Sequence, residues 1–103
     1  PGNMNNLMKQ AQKMQKQMAE TTKALEEKTY EATAGGGVVS VTVSGKKEVT
    51  AIKIAEEVVD PDDIEMLEDL IMAATNEAFR AMESDSQAQL SKLTGGLGGG
   101  FGF

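Results

Sequence analysis

From Met4 to Leu25 the residues Met4, Leu7, Ala11, Met14, Met18, Thr21 and Leu25 recur at alternating steps of three and four. That spacing is the a/d seam of a heptad repeat and predicts a long helix from Met4 to Lys28. At about 1.5 Å per residue such a helix runs roughly 37 Å, more than a body of this size can cover, so it should project or pair with a second copy. The period then drops to two. Tyr30, Ala32 and Ala34 alternate with Thr29, Glu31 and Thr33; Val39, Val41 and Val43 alternate with Ser40, Thr42 and Ser44; Thr50, Ile52 and Ile54 alternate with Val49, Ala51 and Lys53. These segments predict strands over 29–34, 38–44 and 48–54. The breaks between them, Gly35 to Gly37 and Gly45 to Lys47, are too short for a crossover, so the strands form an antiparallel meander.

Helical spacing returns after Asp60 and Pro61, which read as an N-cap followed by a proline at the first helical position. Asp62, Asp63 and Glu65 suit the positive end of the helix dipole. Ile64, Leu67, Ile71, Ala74 and Ala78 form one apolar stripe, and Leu70, Ala73 and Ala81 widen it enough to imply burial on two sides, against the meander and against a second subunit. Ser84, Asp85 and Ser86 weaken the helix, while Leu90 and Leu93 carry it on towards Gly95. The expected fold is therefore α+β: a long N-terminal helix, a three-stranded antiparallel meander and a long C-terminal helix. It forms one domain over 1–94, followed by a glycine-rich tail over 95–103 that should be disordered.

Composition points to a second copy. A chain of 103 residues with three Phe, two of them in the tail, and one Tyr has a thin core. Of its seven Met, Met4, Met14 and Met18 lie on the first seam, which favours a homodimer. The seam residues assigned to the dimer or core are Met4, Leu7, Met14, Met18, Leu25, Leu67, Leu70 and Ile71. No apolar run reaches the roughly 18 residues of a membrane span and no signal segment opens the chain, so a soluble, cytoplasmic protein with no membrane partner is expected.

The net charge of −6 opposes indiscriminate binding to polyanions, yet its distribution changes the picture. Residues 1–28 hold five Lys against three Glu, a net +2, whereas residues 60–83 hold one Arg against eight carboxylates, a net −7. Lys9, Lys16 and Lys23 recur at the outward f position of the heptad, with Lys13 at c. Opposite the seam these cations can meet phosphates, with Gln10 and Gln12 adding neutral hydrogen bonds. Charged f positions usually serve solubility alone, and the pattern by itself favours that plainer role.

Other chemistry finds little support. Gly35 to Gly37 lead into a strand, not a helix, so a hairpin turn explains them better than a phosphate loop. The Asp60 to Glu65 cluster lacks the glycine of a calcium loop and contains Pro61, so capping explains it better. With neither His nor Cys, soft metal sites and the usual nucleophile–base pairs are excluded. No enzyme, cofactor, metal or small-molecule substrate is expected.

The run Asn6 to Gln12 (NLMKQAQ), the strand–turn–strand Val41 to Val49 (VTVSGKKEV), and Glu65 to Ile71 (EMLEDLI) with Asn76-Glu77-Ala78 resemble the YbaB/EbfC nucleoid-associated protein family. The resemblance spans about Asn3 to Arg80 and includes the style of the tail. It implies a bacterial, tweezer-shaped homodimer that binds duplex DNA in the nucleoid through its first and last helices. Carried over, it assigns DNA contact to Lys9, Lys13 and Lys16 beside Gln10 and Gln12, with Lys23 continuing the stripe. On the last helix it assigns Arg80, followed here by Ala81 where the family often has a second base. The rival expectation is a coiled-coil protein-interaction module without nucleic-acid binding.

Overall fold

The computed structural model describes residues 2–95. Its elements run α1 (Gly2–Glu26), β1 (Thr29–Ala34), β2 (Val39–Ser44), β3 (Val49–Ile54), a short 3₁₀ turn (Glu56–Val58) and α2 (Ile64–Leu93). The sheet order is β1-β2-β3 with both pairs antiparallel, as the short turns require. Gly35, Gly36 and Gly37 all take positive φ in the first turn, a conformation that costs glycine little. The tail from residue 96 lies outside the described residues.

The core lies between α2 and the sheet. Val39, Val41 and Val43 on β2 are fully buried, as are Ala74 and Ala78, with Val58 and Met82 completing the cluster. Small alanines let α2 approach the central strand closely, and Leu67, Leu70, Ile71 and Phe79 flank the contact half-buried. Two details differ from the sequence expectation. The cap of α2 is Asp63, whose side chain accepts from the Met66 amide, while Asp60 instead closes a turn through the Asp62 amide. Both aspartates precede helical spacing, but Asp60 with Pro61 satisfies a local turn first. Ile64, Ala73 and Ala81 are exposed, and Met82, absent from the predicted stripe, is buried. As the spacing of Leu90 and Leu93 implies, α2 continues through Ser84 to Ser86 and ends at Leu93.

The molecule is elongated, 75 × 27 × 16 Å, with a radius of gyration of 20.1 Å against the roughly 13 Å of a compact chain of this length. Both helices extend past the sheet. Met14, Gln17 and Thr21 of α1 are half-buried and Leu25 is buried; on α2, Ser86, Gln89, Leu90 and Leu93 are half-buried. Thr22 and Leu25 share a cleft with Ser86 and Leu90, so the last turns of α1 lie along the last turns of α2 in the opposite sense. The lower half of the predicted seam thus finds its partner within its own chain. Residues 3–13 have none and stand exposed, a free length of about 16 Å.

Candidate nucleic-acid interface

Heptad geometry decides where the cations stand. The half-buried Met14 and Thr21 and the buried Leu25 turn the a/d side of α1 towards α2, which leaves c and f pointing away. Lys9, Lys13, Lys16 and Lys23 are accordingly all exposed, as are Gln10 and Gln12. The ion pairs among the described residues are Lys28–Asp85 and Arg80–Glu77, so no carboxylate neutralises the stripe directly. The carboxylates of residues 60–83 belong to the part of α2 that covers the sheet and to the turn before it. Alongside the arm, α2 contributes Glu83 at its root, Asp85 and Lys92, with Asp85 already paired, and the arm itself carries Glu20 and Glu26, neither in an ion pair among the described residues. Charge segregation in sequence becomes separation in space.

Arg80 has a different setting. Its guanidinium lies 2.9 Å from the Glu77 carboxylate, one turn back on the acidic stretch of α2. Both partners are exposed, so the pair is weak, but it removes the local excess of positive charge that a phosphate would seek.

At the root of the arm several groups converge on Asp85. Lys28 Nζ donates to Asp85 Oδ2 at 2.9 Å and Tyr30 Oη donates to the same oxygen at 2.5 Å, while Gln89 Nε2 donates to Oδ1 at 3.3 Å. The Tyr30 hydrogen bond, then those of Lys28 and Gln89, hold the Asp85 carboxyl down to about 2. Burial, then the hydrogen bond to the Asp85 carboxylate and its charge, push the Tyr30 phenol up to about 12. Sequence reasoning missed this group because its members lie more than fifty positions apart and carry no motif.

A second missed surface is β3. Ile52 stands opposite Val41 and Ile54 opposite Val39, so both share the apolar face of the core strand. A bulge between Thr42 and Val43 places Val49, not Thr50, opposite Val43. Yet α2 lies chiefly over β1 and β2, and Val49, Ile52 and Ile54 remain 43%, 46% and 38% exposed while their β2 partners are at zero. The available signal was apolar character on both faces of β3, unusual for an edge strand left to water. Among the predicted seam residues, Leu25 is buried and Leu67, Leu70 and Ile71 pack on the core. Met14 is half-covered, whereas Met4, Leu7 and Met18 stay exposed.

Fold and charge layout together define a small α+β protein that carries a basic helical arm on an acidic body. The profile of the YbaB/EbfC DNA-binding family matches residues 1–97, and the chain belongs to that family. A nucleoid-associated protein of Agathobacter rectalis is 73% identical over 100 residues, covering 97% of this chain and 88% of that one. One from Clostridium acetobutylicum is 62% identical over 96 residues, covering 93% and 86%. The crystal structure of an uncharacterized Helicobacter pylori protein shares the fold with a TM-score of 0.68 at 23% identity, covering 80% of this chain and 86% of that one. No helix among the described residues is long and apolar enough to cross a membrane.

Proposed function

We propose that this chain is a nucleoid-associated protein acting as a homodimer, whose two α1 arms hold duplex DNA through Lys9, Lys13, Lys16 and Lys23. The observation that carries this reading is the unpaired Lys stripe on the outward side of an arm held clear of the acidic body. Membership of a DNA-binding family and the names of close relatives support it. Gln10 and Gln12 stand beside the lysines and supply neutral hydrogen bonds to the backbone. Arg80, paired with Glu77, adds little.

The uncovered apolar face of β3 is the natural subunit contact, with a second copy of the same strand burying Ile52 and Ile54. Pairing there leaves both arms free to flank a duplex. If four lysines engage per chain, the dimer makes eight phosphate contacts, and log K against log salt slopes by about −7. Titration of a fluorescent random-sequence duplex across a salt series tests the reading. Binding with a steep negative slope supports it; no binding at low salt overturns it and favours a protein-interaction module.

A further inference from the structure

Apolar packing alone does not fix the direction of the arm. Where α1 meets the body, Leu25 is the buried contact of the arm, and a cleft of about 270 Å³ opens there between Leu25, Tyr30, Lys47 and Met82. The cleft leaves that side of the helix end unpacked. Two other features restrict the helix. Gly45, in the β2–β3 turn, packs its bare Cα against the end of α1: an added Cβ would fall 1.8 Å from the Leu25 carbonyl oxygen. Its amide also donates to the Lys28 carbonyl at 3.0 Å. On the α2 side, the Asp85 carboxylate gathers Lys28, just beyond the end of α1, and Tyr30, at the start of β1.

We propose that Asp85 is a positioning residue for DNA binding, locking the angle at which α1 presents its lysines by tying the α1–β1 hinge to α2. The assignment rests on the DNA-binding reading above. Asp85 touches no nucleic acid in this scheme; it acts through Lys28 and Tyr30. A carboxylate suits the role because it accepts from an ammonium and a phenol at once, with Gln89 on its second oxygen fixing its rotation. Gly45 supplies a hard stop from the β2–β3 turn, and a methyl group there cannot be relieved by a side-chain rotation, since it meets backbone. An arm held in advance loses less conformational freedom when it meets a duplex, and so binds more tightly with the same number of contacts.

The chain has no native cysteine, so cysteines replacing Gln12 on the arm and Thr33 on β1 give a unique pair of spin-label sites. Labelled chain diluted into unlabelled chain reports the distance within one protomer, without DNA. The expected result is one narrow distance in the parent, a broadened distribution in Asp85→Ala, and a narrow but displaced one in Gly45→Ala. Lys28→Arg should keep the distribution narrow and Lys28→Gln should broaden it. In unlabelled protein, Asp85→Ala should weaken duplex binding about tenfold with an unchanged salt slope, because contacts are kept and only their prior arrangement is lost. Tyr30→Phe, which removes one hydrogen bond and little volume, gives a smaller broadening and serves if Asp85→Ala does not fold. An unaltered distance distribution in these variants overturns the proposal, as does a broadened arm that binds DNA as tightly as the parent. If the parent itself fails to bind duplex, the DNA-binding reading falls and this role with it, while the distances still show whether the clamp exists.

Discussion

The arm and the body solve opposite problems. In the body, β2 and α2 bury valines and alanines completely, and acidic side chains occupy the solvent side. In the free length of the arm nothing is buried: Met4, Leu7 and Met8 are each more than half exposed, and the lysines face water. A protein with net charge −6 can hold a polyanion only if its cations reach it while its carboxylates stay beyond the screening length. At physiological salt that length is about 8 Å. A projecting helix meets the condition where a compact domain of the same composition would not. The contrast teaches that net charge sets the long-range field, whereas local geometry decides contact.

The contrast can be broken most severely at the proposed subunit contact on β3. Ile52→Glu puts a charge on the uncovered face of β3 and should leave monomers by sedimentation analysis, with the salt slope of duplex binding about halved because each molecule then keeps one arm. A dimer that persists would move the contact elsewhere, to the free seam of α1. Within the body, Val41→Ala removes fully buried methyls and should cost about 2 kcal/mol in urea unfolding, while Leu7→Ala on the arm should change stability by less than about 0.5 kcal/mol. Equal costs would mean that the arm is packed in solution.

At the boundary between the two regions the test is pH. Because the Asp85 carboxyl is held at about 2 in the folded chain against an ordinary 3.8, its contribution is present above pH 3.8 and is lost as pH falls from there through about 2. Asp85→Asn should therefore flatten the acid limb of the stability curve over that window. Tyr30 responds at the other end: its phenol is raised from 10.0 to about 12, so the ionised form is disfavoured by folding and stability declines as pH climbs through that interval. Tyr30 is the sole tyrosine and the chain has no Trp, so ultraviolet titration reads it alone. In Asp85→Asn its midpoint should move down towards 10. The smallest effect belongs to Arg80→Gln, which should alter the salt slope by less than about one unit, since Glu77 already holds that guanidinium.

Much of this was legible in the chain itself. The β strands fall within a residue of their predicted bounds because a period of two with glycine punctuation leaves few alternatives. The Lys stripe was legible for the same reason: heptad position dictates direction, and Lys9, Lys13, Lys16 and Lys23 stand where the seam places them. What could not be read depends on distant partners. Nothing near Leu25 indicates that Leu90 lies beside it, so the sequence alone leaves open which seam residues face a second copy and which the chain's own core. Ser84 to Ser86 are poor helix formers by local propensity, which does not register Asp85 tied to Lys28 and Tyr30. The start of α2 was misplaced by three residues because Asp60 and Asp63 are chemically equivalent caps until the chain chooses which one closes a turn. The exposure of β3 follows from how far α2 reaches across the sheet, a property of tertiary packing.

The central claim is that the lysines of the arm, and not the charge of the molecule as a whole, make the contact with DNA. Replacing Lys9, Lys13 and Lys16 together with Gln and measuring duplex affinity from low to physiological salt tests it most directly. The slope should collapse from about −7 to about −2, with the dimer and its melting temperature unchanged. A variant that keeps the parent slope would place the DNA on another surface and contradict the account.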